Sequence, residues 1–563
     1  MRSILSRRTK RVFLLFVLGA AYSLCHAQNT TDTLSQLDEV DIVKAYEPML
    51  ISTNRIPFAP NLPNLSKSKS DPQQYSFSDV RGKVEHPQEE IRPMKATVIK
   101  PDKNSFLYAK IGFGYPMTPL VQLLIANPVQ AKYKTGLSTD FILTKDFQAK
   151  YKQYTDFKIK GYGELYVKKT VALGADLSYK YNQHFYYGYS DIFSTSRDSM
   201  LLNYNRVDAS LYLRNIKNAA YFYNSTFDFN TVSAKNIFKK SQELTFSATA
   251  EGGYTFKTHY TFGGKLCFTN VSLRDNQDAL VSKQNHFSVQ AIPYAKVKFK
   301  IWQIFLGPNM IITNKNFYIW PELLNQLQVY KDFVVIYNEW KTQVRINSLN
   351  NISQENPFVR TANYRNSVDE TRTLLGLRGA IKGFGYDVRF SQLVSSNQAQ
   401  FFSSSDSVPQ FNNVTFDVQS VNTKAWNPHV GLSYGLGTQL GAKVWFDYFI
   451  YNKNTAYQLS YLPKWKLGVS AFYKWKDKLL VNLDLYSQDK TNGLHYELSS
   501  TSTSMSLISI KSLIDLNLSA TYFINKHIGV FVDLNNLGFQ KWQPYYRYNT
   551  YGAQFIAGVK LNF

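Results

Sequence analysis

Apolar and polar residues alternate with a period of two along most of this chain. Phe157, Ile159, Gly161, Gly163, Leu165 and Val167 share one side of a run in which Lys158, Lys160, Tyr162, Glu164 and Tyr166 share the other. The scheme returns with Val171, Leu173, Ala175, Leu177 and Tyr179 against Asp176, Ser178 and Lys180, and with Leu479, Val481, Leu483 and Leu485 against Asn482, Asp484 and Tyr486. It returns again with Ile528, Val530, Val532 and Leu534 against Asp533 and Asn535. Such alternation predicts β-strands with one apolar and one polar face. In a soluble sandwich the apolar faces would form the core. Here nearly every strand repeats the scheme, and no amphipathic helix or second domain offers cover. The apolar faces are therefore expected to meet lipid and the polar faces to line an interior.

The final residues obey the same rule. Phe555, Ala557, Val559, Leu561 and Phe563 make one face, and Gln554, Ile556, Gly558, Lys560 and Asn562 make the other. A strand in hydrocarbon must be paired along both edges, because an unsatisfied backbone group there is costly. The pattern thus predicts a closed barrel whose last strand joins its first. A last strand of a soluble sheet is the alternative for this stretch taken alone. The ending resembles the C-terminal signal of bacterial outer-membrane proteins. That resemblance gives Phe555, Val559, Leu561 and Phe563 a barrel-closing role and implies the barrel-assembly machinery as a partner.

Connections alternate in length as well. Tight turns are predicted at Val167–Val171, Phe256–Tyr260, Lys298–Gln303, Tyr330–Phe333, Lys474–Lys478 and Ile524–Ile528. Long Tyr-, Asn- and Ser-rich stretches lie at 182–202, 272–286, 347–370, 397–412 and 488–510. In membrane barrels tight turns face the periplasm and long loops face outside. Counting strands from Phe106 to Phe563 predicts about 22, within a range of 18–22, with both ends periplasmic. The expected fold class is all-β, a transmembrane antiparallel β-barrel over residues 105–563. Aromatic residues are 15% of the chain and mean hydropathy is −0.30. That balance excludes a helical membrane protein but suits a barrel, whose alternation hides its membrane signal.

The N-terminus reads as a secretory signal peptide over residues 1–27. Arg2, Arg7, Arg8, Lys10 and Arg11 precede the apolar run Val12 to Ala21, and Cys25-His26-Ala27 supplies a small-residue cleavage site. Losing Cys25 with the signal leaves Cys267 alone, which precludes an internal disulfide. The chain carries a formal net charge of +24, falling to about +19 without the signal. Export argues against nucleic acid as the acidic partner. Outer-membrane lipid and lipopolysaccharide, acidic glycans or an acidic protein remain, beside an ordinary solvated surface.

Residues 28–104 differ from the barrel portion. Pro48, Pro57, Pro60, Pro63, Pro72, Pro87, Pro93 and Pro101 forbid a long helix or a central strand there. The expected form is an extended periplasmic segment, a strap or partial plug that is ordered against a partner or the barrel. Within it Leu37, Asp38, Glu39, Val40, Asp41, Ile42 and Val43 make a short strand candidate. Leu37-Asp38-Glu39-Val40 resembles the TonB box of receptors in the SusC class, although Asp41 stands where that family prefers valine. The resemblance implies that Leu37, Asp38, Glu39, Val40, Ile42 and Val43 pair with a TonB-like or other periplasmic protein by β-augmentation. An ordinary short strand is the alternative.

The barrel portion resembles a Bacteroidota outer-membrane family described as TonB-dependent-receptor-like. The resemblance rests on Tyr108-Ala109-Lys110-Ile111-Gly112-Phe113-Gly114 followed by Thr118-Pro119-Leu120, on Glu355-Asn356-Pro357-Phe358, and on Trp465-Lys466-Leu467-Gly468. It implies an outer-membrane location and says little about a solute; residues 28–104 depart from the family, being too short and proline-rich for its usual globular plug.

Candidate chemistry is sparse. Gly431-Leu432-Ser433-Tyr434-Gly435 matches a nucleophile-elbow pattern near His429, but that elbow needs a helix after the turn and the sequence offers none. The mature histidines lack metal-ligand spacing. No enzyme, metal or cofactor is therefore expected. Aromatic loops carry the remaining signal. Tyr186 and Tyr187 in one loop, and Trp542, Tyr545, Tyr546 and Arg547 in another, suit stacking on sugars or on a partner, or an interfacial girdle. Two functions stay open: a channel or receptor for solute passage, and a non-transporting barrel subunit that docks partners through 28–104 and the outer loops.

Overall fold

A computed structural model describes residues 106–563 apart from 128–131, 148–149, 168–169, 189–195, 217–219, 237–239, 278–279, 315, 361–365, 405–412, 453–459 and 499–502. The expected signal peptide (1–27) and the expected strap (28–104), with Leu37–Val43, lie outside the described residues.

Twenty-five strands run from β1 (Leu107–Tyr115) to β25 (Gln554–Asn562). Three stand outside the main ring. The two-residue β18 (Ile450–Tyr451) continues the edge of β17 (Leu440–Tyr448) along β16 (Phe416–Leu436). β21 (Thr491–Leu498) and β22 (Thr503–Ile510) form a hairpin within the loop between β20 (Leu479–Gln488) and β23 (Leu513–Phe523). The other 22 pair antiparallel with their neighbours and close on themselves. At the seam β1 pairs with β25 from Tyr108 opposite Asn562 to Tyr115 opposite Phe555. The Leu107 and Phe563 backbones exchange hydrogen bonds of 3.0 and 2.9 Å beyond it. No edge is left for lipid to meet, which is the condition a strand fold needs in hydrocarbon.

The facing obeys the alternation. Ile111, Phe113, Leu177, Leu211, Phe227, Phe262, Leu306 and Leu375 stand exposed on the outside, each about half or more uncovered. On the inside are polar side chains such as Asp140, Lys158, Lys180, Asp208, Asn482 and Asp533. Lys110 donates to Asp533 at 2.7 Å, with both groups buried, and Ser519 donates to the same carboxylate at 2.6 Å. Lower in the lumen the rings of Tyr162, Tyr212, Tyr294 and Tyr337 lie over Gly136, Gly174, Gly263 and Gly376. Any side chain at those glycines would occupy the ring's place, so each ring covers the gap its glycine leaves. An apolar outer belt over a polar interior is the arrangement of a membrane-spanning barrel.

Two stretches differ from the sequence expectation. Residues 272–286, expected as a loop, lie almost wholly in β9 (Tyr260–Gln277) and β10 (Leu280–Lys298). β15 (Phe384–Ser403) likewise extends into the expected loop 397–412. Strands of 17–21 residues, as in β8 (Lys240–Phe256), β9, β15 and β16, exceed the ~9–11 needed to cross a bilayer. The wall therefore rises above its apolar belt at the loop end. There the polar outer positions meet water, so the belt's alternation no longer signals a strand.

Candidate functional site: an aromatic cap over a polar lumen

At the loop end the side of the wall that carries apolar residues changes. In β6 (Leu201–Asn215), Leu211 and Leu213 face out, whereas Leu202 and Tyr204, on the opposite parity, are buried inside. In β7 (Tyr221–Lys235), Phe227 and Phe229 face out while Val232 and Ala234 are buried inside. Val271 and Leu273 of β9 repeat the switch. An apolar inner wall needs something apolar to cover it. The loops supply that cover by folding into the mouth.

The central piece is the segment between β13 (Val334–Ile346) and β14 (Asn366–Ile381). It carries the only α-helix among the described residues, α1 (Leu349–Glu355). Ser348 caps α1 by accepting from the Asn351 amide at 3.3 Å. Glu243 of β8, fully buried, accepts from the amides of Leu349 at 2.5 Å and Asn350 at 3.2 Å. A carboxylate there accepts from two amides of the first helical turn and complements the positive end of the helix dipole. Arg206 of β6, also buried, donates to Asn350 at 3.1 Å, Ser353 at 2.8 Å and Asn182 at 2.6 Å. One carboxylate and one guanidinium on the wall thus hold α1 from two sides.

Beyond α1 the chain crosses the mouth. Phe358 accepts from the Phe416 amide and Arg360 donates back to the Phe416 carbonyl, at 3.0 and 2.7 Å, and Arg360 pairs with Asp417 at 3.1 Å. Phe358 stacks on Tyr548 with ring centroids 3.6 Å apart. Tyr187 meets Tyr548 edge-on at 5.0 Å, and Tyr545 packs against Phe401, Phe416 and Tyr461 at 5.1–5.7 Å. Around these rings lie Phe185, Met200, Leu202, Ile346, Leu349, Ile352 and Val414, all buried.

The phenol hydroxyls of the cap reach backbone carbonyls. Tyr548 donates to Val414 at 2.5 Å, Tyr545 to Glu355 at 2.8 Å, Tyr204 to Pro357 at 2.6 Å and Tyr187 to Asn549 at 3.0 Å. Burial pushes the phenols of Tyr186, Tyr187, Tyr545, Tyr548 and Tyr551 well up, so they stay neutral donors across the physiological range. Burial also raises the Glu355 carboxyl, against the pull of Arg345 and Lys466. Lys152 is lowered by burial despite Asp146 at 3.4 Å, and its ammonium donates to the Thr550 carbonyl at 2.9 Å.

Of the residues that the sequence singled out, all but Leu37–Val43 fall among the described residues. Tyr186, Tyr187 and Tyr545 sit in this cap, packed inward rather than on a membrane girdle or an exposed loop tip. Trp542 is buried beside it against Tyr486 and Leu513, donating to the Lys511 carbonyl at 2.9 Å. Tyr546 and Arg547 are half-buried, with the guanidinium 5.4 Å from the Tyr546 ring. Phe555, Val559 and Phe563 are exposed on the outer face of β25 next to the seam, and Leu561 is half-exposed there. His429 bonds to Asp447 at 2.9 Å. Ser433 lies four residues along the same strand, roughly 13 Å away at 3.3 Å per residue, so the two are not brought together. Among the described residues no group of His, Cys, Asp and Glu could hold a metal. Sequence reading missed Glu243, Arg206 and Phe416, and gave Phe358 no role beyond its motif and Tyr548 none beyond its aromatic loop. The switch of apolar parity in β6, β7 and β9 was the available signal.

No family profile matches the sequence, and no curated protein matches it. Solved structures do match in fold. The FrpB iron transporter from Neisseria meningitidis (F3-3 variant) superposes with a TM-score of 0.63 over 82% of this chain and 82% of its own, at 10% identity. The ferric enterobactin receptor PfeA from Pseudomonas aeruginosa, in complex with enterobactin, gives 0.62 over 83% and 82%, at 11% identity. The ferripyoverdine receptor of the outer membrane of the same bacterium gives 0.60 over 83% and 73%, at 12% identity. What this chain shares with these receptors and transporters is their fold, the closed 22-strand barrel.

Proposed function

We propose that this protein is an outer-membrane receptor barrel for solute passage, shut at its loop end by the aromatic cap. The observation that carries the reading is the cap itself: inward-folded loops over a wide polar lumen, on a barrel shared with an iron transporter and siderophore receptors. A solute arriving from the loop side meets Tyr546 and Arg547 first and must displace the rings of Phe358, Tyr545 and Tyr548 to enter. Opening has a defined route, since α1 is held to the wall through Glu243 and Arg206 and can leave without unpairing the barrel. The iron complexes bound by the fold neighbours set the first solutes to try.

The reading extends to the ends of the chain. Residues 1–27 serve as an export signal, 28–104 form a periplasmic strap, both termini are periplasmic, and Phe555, Val559, Leu561 and Phe563 serve assembly. Leu37–Val43 lends a strand to a TonB-like partner. The cap's close packing also supports a second reading, a barrel that stays shut and acts as a subunit of a larger assembly. Deleting 28–60 separates the two. For a receptor, the deleted strain inserts the barrel yet loses solute uptake. For a subunit, uptake is unaffected and a co-purifying protein disappears. A deleted strain with wild-type uptake and wild-type partners contradicts both.

A further inference from the structure

The opposite rim has a different chemistry. Ten short connections join the strands at the end where β1 starts and β25 finishes. Among the described residues of those connections stand Lys132, Lys257, Lys300, Lys331, Lys382, Lys476, Lys478 and Lys526, all exposed, against only Asp332 and Asp477. The charge is spread around the circumference, with seven of the ten connections contributing a lysine among the described residues.

Two features show that these lysines are not a chance scatter. Lys257, Lys331, Lys382 and Lys476 each occupy the first position of their turn, with φ of 47°, 42°, 45° and 47°. That left-handed region favours Gly, Asn or Asp, and such residues close tight hairpins most readily. Four separate turns use lysine there instead, so a charge is kept where the backbone alone would select another residue. Each lysine also comes directly after an outward apolar side chain: Phe256, Tyr330, Ile381 and Trp475 are 43–56% exposed on the outer face. The Lys257 and Lys476 ammonium groups sit 5.1 Å from the rings of Phe256 and Trp475. Rings of this kind settle at the boundary between hydrocarbon and headgroups. The ammonium groups are thereby set one step beyond the hydrocarbon, at headgroup depth.

We propose that this lysine ring binds the anionic headgroups of the phospholipid leaflet in which the short-turn rim stands. The spread favours lipid over a protein partner. A protein would contact one arc or the central opening, whereas a lipid annulus meets every turn at the same depth. Basic groups near such a surface attract anionic lipid, and the attraction fades with salt. The proposal does not depend on what the lumen passes.

The test uses the full chain reconstituted in phosphatidylcholine vesicles, with spin-labelled phosphatidylglycerol or phosphatidylcholine as the probe. Wild-type protein is expected to immobilise the anionic probe several-fold more strongly, with the preference shrinking as salt rises. The combined variant Lys257→Gly, Lys331→Gly, Lys382→Gly and Lys476→Gly removes four charges and relieves the four left-handed positions. It should fold at least as well, read as unchanged heat-modifiable migration, and should lose most of the preference. The matching Lys→Arg set should keep it. Equal immobilisation of the two probes by wild-type protein overturns the proposal and leaves an acidic protein as the surface these turns meet. A full preference retained by the folded glycine variant overturns it too.

Discussion

The two ends of this barrel solve opposite problems with the same strands. At the short-turn end the connections are minimal, the rings point outward and the charge is lysine on an exposed rim. At the loop end the connections are long, the rings point inward and the charges, Glu243 and Arg206, are buried and hold α1. The middle of each strand obeys a single rule, apolar out and polar in, because lipid is outside and water inside. Above the belt that rule reverses. Leu202 and Tyr204 of β6 turn inward where Leu211 and Leu213 turn outward, because the interior there is filled by the cap and the exterior meets water. Facing along a barrel strand is thus set locally, by what stands on each side.

The contrast can be broken first in the middle. Arg at Val481 or Leu483 faces hydrocarbon and is expected to cost on the order of 2–4 kcal/mol near the midplane, whereas Arg at the buried, lumen-facing Asn482 costs far less. Urea-dependent folding into vesicles measures both, and equal losses at adjacent positions would show the register to be wrong. Next comes the cap. Glu243→Ala leaves two amides of α1 without their acceptor and should loosen the segment by about 1–3 kcal/mol. Hydrogen exchange at Leu349 and Asn350 should accelerate while exchange in β20 is unchanged. Uniform acceleration would mean the cap and the wall are one cooperative unit.

The smallest effect is pH-dependent. Burial raises the Glu355 carboxyl above the ordinary glutamate value of 4.5. A group with a raised folded value contributes stability that is complete below the ordinary range and is lost as pH rises through the folded value. After correction for intrinsic exchange, the cap's amides should therefore be better protected in mildly acidic buffer than at neutral pH, and Glu355→Gln should flatten that dependence. A variant with the wild-type pH profile would assign it to another group.

Much of this molecule was legible in its sequence. Alternation in 157–167, 171–180, 479–486 and 528–535 marked strands that the structure contains, and the strand count of about 22 matches the closed ring. The tight turns were visible because apolar residues resume within a few positions. The upper wall was less legible. Residues 272–286 mix Ser, Asn, Gln, Asp and Lys, and so polar a strand resembles a loop in sequence. The cap escaped because its parts are far apart in sequence: Glu243 and Leu349, or Phe358 and Tyr548, meet only once the barrel closes. Tyr186, Tyr187 and Tyr545 were noticed for their rings, but alternation carries no information on whether a loop ring turns inward.

The proposed closure of the lumen by the cap is what sets the loop end apart from the rest of the barrel. Single-channel recording in a planar bilayer tests it most directly, comparing full-length wild-type protein with a variant in which 349–359 is replaced by a short Gly-Ser link. A silent wild-type barrel and large, steady currents from the shortened one are expected. Steady currents through the wild type, or silence from a shortened barrel that has folded and inserted, would contradict closure by the cap.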